Sequence, residues 1–308
     1  MTTEFEDWRD EWDLVLRAGK RSPKTRIDYL LGVRQFTGWL AEHYPACTQP
    51  RDITPRHLHL WATHMDEVKH MAPASRRLRL LAVRQWLAYL SAQPDSGLTA
   101  NPAANLDMPS PRQEPPATIT DDELAALLKT CKGRSFADLR DEFIIRIMLD
   151  AGVRRGEVVS TNMDDLDLTR QEVTVRGKTG TRIVPIGTKT ALAARRYLRA
   201  RARRPYADRP ALVQAYRPTP SGEIRMTGHG LYKMFVNRCA QAGLGHRHPH
   251  QLRHTWADDM LENGATEGDV EWLGGWTRGS KMVRWYGSAN GARRARRRAQ
   301  SLSRGDRV

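Results

Sequence analysis

The stretch LDMPSPRQEPPAT at residues 106–118 constrains this chain more than any other feature. Its four prolines withhold backbone donors and push each preceding residue towards extended structure. With no apolar periodicity either, the stretch reads as a linker. The chain is therefore expected to fold as two bodies, a domain over residues 1–105 and a second over 119–290, followed by a basic tail at 291–308. A length of 308 residues agrees, at roughly 100–200 residues per domain.

Residues 1–105 carry helical signals only. Ser22-Pro23 supplies an N-cap with proline in the first turn, and Tyr29, Val33, Phe36 and Leu40 then recur at helical spacing. The acidic EFEDWRDEWDLVL segment is the reverse of a basic signal peptide, and it lengthens this domain only if it packs onto the helix from Ser22. Thr54-Pro55 repeats the start signal ahead of Leu58, Trp61 and Met65. A third segment opens at Ser75 with Leu80, Val83, Leu87 and Leu90 on one stripe and Arg76, Arg77, Arg79 and Arg84 on the other faces. Trp39, Trp61 and Trp86 are expected in the core.

The second domain opens on a capping box, Thr120 with Glu123. The apolar FIIRIMLDAG predicts a buried helix, and EVTVRGKTGTRIVPI (172–186) predicts a hairpin with a Gly-Lys-Thr-Gly tip. Helical pattern returns at 188–203, 229–242 and 250–263, whereas 204–228 reads as irregular. The fold class that follows is mainly α with a small β-sheet: an all-helical N-terminal domain and a mixed α/β C-terminal one.

Fifty Lys and Arg against thirty-five Asp and Glu leave a net charge of +15, which asks for a polyanionic partner, with nucleic acid first, and shifts Arg76, Arg77, Arg79 and Arg84 from a solvated face towards contacts with DNA phosphates. A membrane surface comes second and finds no long apolar run to support it. Cys47, Cys131 and Cys239 are odd in number and far apart, so no disulfide framework is expected and a reducing cytoplasm is the default. His246, His248, His250 and His254 form the one metal-like cluster, but no Cys, Glu or Asp stands close by to complete a zinc set. No Walker A lysine, dinucleotide fingerprint, nucleophile elbow or HExxH motif appears, and no metal or cofactor is expected.

Chemistry concentrates elsewhere in the second domain. PHQLRHTW places His250 and Arg253 on one helix face, a proton acceptor beside a planar fork for phosphate. GVRRGEVVS puts Arg154 just past a glycine turn, with Glu157 three residues on. The hairpin tip offers Lys178, and LGGWTRGSKMVRWYG carries Trp276 and Tyr286, the only tyrosine after Tyr232. In this order, across residues 150–287, the chain resembles a tyrosine recombinase of the phage integrase family.

The resemblance implies a core-type DNA-binding domain at 1–105 and a catalytic domain at 119–290, closing as a clamp around duplex DNA. It implies Tyr286 as nucleophile, His250 as its general base, Lys178 as general acid and Glu157 as support. Arg154 and Arg253 would hold the non-bridging phosphate oxygens, and Trp276 would fill the place that is His in many members. Such fixed cations neutralise the pentacoordinate charge without a metal. A covalent 3′-phosphotyrosine conserves the bond energy, so exchange needs no cofactor. The expected partners are double-stranded attachment sites, three further copies of the chain, and a directionality factor. Phage or prophage integration, with excision, is the expected setting, on a short core site of the simple type without a separate arm-binding domain. Two other readings remain: a type IB topoisomerase-like enzyme, which would religate without exchange, and a DNA-binding regulator without catalysis.

Overall fold

The computed structural model describes residues 4–110, 117–177 and 180–307. They divide into two compact units, Met1–Gln113 and Glu114–Val308. Unit one is helical: α1 (Glu4–Ala18), α2 (Pro23–His43), α3 (Pro55–Thr63) and α4 (Pro73–Leu90). The acidic first segment does fold as a helix, because Phe5, Trp12 and Leu16 fall on one face and bury it. Trp12 stacks on Tyr29 of α2 with ring centroids 5.9 Å apart, and Asp13 receives Arg26 through two bonds of 2.7 Å. Ser22 Oγ caps α2 at the Thr25 amide. The start of α4 lies at Pro73, two residues ahead of the Ser75 expected, because proline is best tolerated in a first turn. Val33, Phe36, Leu58, Leu80, Trp86 and Leu87 are almost fully buried, and Trp39 and Trp61 join them. Truncating Trp86 to Ala would cost about 3–5 kcal/mol.

Unit two contains α5 (Asp121–Lys129), α6 (Phe136–Ala151), α7 (Arg155–Ser160), α8 (Thr188–Arg201), α9 (Gly228–Gln241), α10 (His250–Glu262), α11 (Glu267–Gly274), α12 (Lys281–Tyr286) and α13 (Ser288–Ser301). Its antiparallel sheet has the order β1 (Leu166–Asp167), β2 (Glu172–Gly177), β3 (Gly180–Pro185). The expected capping box opens α5, where Thr120 Oγ1 accepts from the Glu123 amide. α6 is the central post: Phe143, Ile144, Ile145, Ile147 and Met148 bury it against α8 and α10. Register pairs Val173 with Val184 and Val175 with Arg182, so the inward row of the hairpin is apolar until Arg182. Irregular residues 204–228 are pinned by two single bridges, Asn162 to Ala211 and Gln214 to Arg225.

A smaller core of Trp256, Val270, Val283 and Tyr286 joins α10, α11 and α12. The basic tail is not an extended appendage. It forms α13, where Arg294 lies 2.7 Å from Asp258 and Arg297 contacts Glu262, both acids on α10. Among the described residues, no helix is long and apolar enough to cross a membrane.

Candidate active site

Gly152 ends α6 in the left-handed region (φ +56°), where an added Cβ would lie 2.2 Å from the Trp256 ring. Only glycine lets the chain turn there with α10 so close. The turn delivers Arg154 to the N-cap of α7, where Glu157 Oε2 accepts from the Arg154 amide at 2.8 Å and Oε1 from its Nη1 at 2.9 Å. The neighbouring Arg155 is exposed and lies over the Tyr232 ring, so of the two arginines Arg154 is the one aimed into the site.

α10 contributes His250 as its first residue and Arg253 one turn later on the same face. Arg253 is fully buried, and its Nη1 and Nη2 donate to the carbonyls of Gly152 (2.5 Å) and Gly274 (2.6 Å). α11 ends at Gly275 with φ +64°, which swings the chain so that the Trp276 ring covers Arg253, 3.7 Å from guanidinium carbon to ring centroid. Arg154 Nη2 reaches the Gly275 carbonyl at 3.2 Å. The last residue of α12 is Tyr286, 2% exposed, with its hydroxyl 3.0 Å from His250 Nε2 and its ring 5.3 Å from that of Trp276.

Burial first, then the Arg253 charge, lowers the His250 pKa to about 4, so the ring is neutral at pH 7. With its proton on Nδ1, the imidazole accepts from the phenol. Burial raises the pKa of Tyr286, while Arg253 and Arg154 pull the other way by favouring the phenolate. Burial and Arg154 lower Arg253 to about 9, and it keeps its charge at neutral pH. Desolvation opposes ionisation of Glu157, but Arg182 and Arg154 outweigh it and hold the carboxylate below its ordinary range.

The structure thus brings Arg154, Glu157, His250, Arg253, Trp276 and Tyr286 together. Lys178 lies outside the described residues; its flanks Gly177 and Gly180 pair across the hairpin end. Of the four arginines on α4, Arg77 is exposed and its Nη1 donates to the Pro109 carbonyl. Arg76 pairs with Asp66, Arg79 donates to the Asp28 carbonyl, and both are half-buried, as is Arg84. Among the described residues, no group of three or more His, Cys, Asp or Glu side chains could hold a metal. His254 packs its ring 4.4 Å from Tyr286, and neither of its nitrogens has a hydrogen-bond partner. Against Glu157 the structure adds a buried charge that the sequence reading does not single out. Arg182 reaches Glu157 with Nη1 (3.1 Å) and Nη2 (2.9 Å). Its signal was the strand alternation, which turns Arg182 inward with Val184 and leaves Ile183 outside.

These features define a mainly helical protein whose second unit gathers a tyrosine, a neutral histidine and two arginines. Known proteins extend that description. The family model described as the phage integrase family matches residues 117–293. The tyrosine recombinase XerC of Chromobacterium violaceum is 31% identical over 250 residues, covering 80% of this chain and 79% of the relative. The fold is shared with the integrase of the transposon Tn1549 in complex with transposon right end DNA (TM-score 0.73, 16% identity, 98% and 99% of the two chains). It is shared also with a lambda integrase tetramer bound to a Holliday junction (TM-score 0.68, 16% identity, 92% and 77%). This chain belongs to the phage integrase family: it is a tyrosine recombinase, an enzyme of site-specific DNA recombination.

Proposed function

We propose that this chain cuts and rejoins duplex DNA at an attachment site through Tyr286. The observation that carries the reading is the 3.0 Å approach of Tyr286 Oη to a neutral His250 Nε2, beside two arginines. A phenol with an ordinary pKa of ~10 is almost wholly protonated at pH 7, so attack needs a base already in place. Tyr286 Oη bonds to the scissile phosphorus as its proton passes to His250 Nε2. Arg154 and Arg253 take the charge that builds on the non-bridging oxygens. The bond from phosphorus to the 5′-oxygen breaks, Lys178 protonates that oxygen, and a 3′-phosphotyrosine remains. Attack by the 5′-hydroxyl of a partner strand reverses these steps and completes exchange.

Tyr286 is 2% exposed and Arg253 is fully buried under Trp276. The reading therefore requires DNA binding to open the tyrosine segment. The helical unit is assigned to core-site binding, with Arg77 as the exposed basic residue of α4. Four protomers would act on two sites, in the cytoplasm, with a directionality factor biasing the outcome. The biological setting we assign is integration, and excision, of a phage or prophage. Sequencing host genomic fragments that become covalently trapped on the chain tests this reading. Joining of two non-identical sites on separate plasmids is the expected result. Exchange confined to identical sites on one molecule would replace integration with chromosomal resolution, and religation without exchange would make the enzyme topoisomerase-like.

A further inference from the structure

We propose that Arg182 is a positioning residue for strand cleavage, acting through Glu157 and the 273–275 loop to set the direction of the Arg154 guanidinium. The inference rests on the cleavage reading above. Arg182 occupies an inward place on β3 that its neighbours fill with Val184, and its side chain is 6% exposed. Each of its three nitrogens is engaged: Nη1 and Nη2 on the two oxygens of Glu157, and Nε on the Leu273 carbonyl at 2.7 Å. Three of its five N–H donors are thus spent on Glu157 and the Leu273 carbonyl.

Its partners are the ones that matter. Glu157 divides its two oxygens between Arg182 and Arg154, each oxygen accepting one bond from either residue. Three consecutive carbonyls ahead of Trp276 are each held by a different arginine: Leu273 by Arg182, Gly274 by Arg253 and Gly275 by Arg154. The backbone is cleared for this arrangement on two sides. A Cβ at Gly177 would lie 2.5 Å from Glu157 Oε1, and one at Gly275 would lie 2.7 Å from Arg182 Nη1. A buried ion pair is a weak source of stability compared with an apolar pair of the same shape. What this one provides is direction. Without Arg182, Glu157 keeps only Arg154, and the carboxylate is free to draw that guanidinium towards itself and away from a phosphate.

The test is single-turnover formation of the covalent complex by full-length Arg182→Gln and Arg182→Lys on a nicked suicide duplex. A matched duplex carries a methylphosphonate at the scissile position. The methyl group removes one negative oxygen, so correct aim of a charge-neutralising arginine matters less there. Variants are compared only where melting temperature and site binding match the parent. Arg182→Gln is expected to cleave the phosphodiester about a hundredfold more slowly, the scale of an angstrom-level misplacement. Its deficit on the methylphosphonate should be several-fold smaller, and Arg182→Lys should fall between Gln and the parent. Equal slowing on both duplexes would assign Arg182 to general scaffolding and overturn the proposal, as would unimpaired cleavage of the phosphodiester. No adduct from the parent chain would instead overturn the cleavage reading itself.

Discussion

Lowering the pH from 7 to 5 should destabilise the second unit through its buried histidines, and His254→Phe should remove much of that effect. The His254 pKa is lowered to about 3, by burial first and then by the neighbouring His250. Its unfolded value is ~6.5. A folded pKa below the unfolded one gives stability that is present above pH ~6.5 and is lost as pH falls towards the folded value. At pH 5 the unfolded ring is almost fully protonated and the folded ring is not, so the loss integrates to about 2 kcal/mol. His250, lowered to about 4, adds a similar loss, and the two are coupled, so their sum is smaller than twice either. Asp259 works in the opposite direction: its side chain is exposed, but desolvation by the packed helices around it and the like charge of Asp258 raise it to about 6, which stabilises the fold as pH falls below that value. Comparing parent and variant cancels the Asp259 contribution. At pH 7 the substitution should be neutral or stabilising, because it removes two ring nitrogens that have no hydrogen-bond partner. The assay is urea denaturation of the full chain at both pH values, read at the α10 amides by hydrogen exchange. The variant should lose about 2 kcal/mol less than the parent between pH 7 and 5. Equal losses would refute the account of His254 as a neutral, desolvated ring against Tyr286.

Two further outcomes can be measured, the first from the geometry of the Gly152 turn and the second from the chemistry of the leaving group. Gly152→Ala places a Cβ 2.2 Å from the Trp256 ring at φ +56°, so unit two should lose at least about 1–3 kcal/mol, measured as a lower melting temperature. Unchanged melting would mean that the turn below Arg154 is not tight. Lys178→Ala should cleave a normal duplex slowly and recover on one with a 5′-bridging sulfur, since a thiolate leaves without a proton. Equal impairment on both substrates would remove Lys178 from the role of acid.

Local rules made most of the second unit legible. The Thr120–Glu123 box, the Gly152 turn and the β-branched hairpin are each decided within a few residues, and the structure places each of them where the pattern does. The His250–Arg253 face was equally readable, because helix geometry alone puts residues three apart together. What escaped depends on distant partners. β1 has two residues and exists only by pairing with β2. α13 has almost no apolar stripe, and its order comes from Arg294 and Arg297 meeting Asp258 and Glu262, more than thirty residues earlier. Arg79 reads from the sequence as a contact for DNA phosphate because nothing near it shows that the Asp28 carbonyl, on α2, would receive it. Arg182 was masked by its charge, since an inward strand position is expected to be apolar, and its acceptor Glu157 lies on another element.

The most direct test of the account is covalent trapping by Tyr286→Phe beside the parent chain on the same suicide duplex. The phenyl ring keeps the packing against His254 and Trp276 but lacks the oxygen that lies 3.0 Å from His250 Nε2. Site binding should stay close to that of the parent. The parent should yield a protein–DNA adduct whose peptide map places a 3′-phosphotyrosine at Tyr286, and the variant should yield none. An adduct formed by Tyr286→Phe, or one mapped to another residue of the parent, would contradict the account.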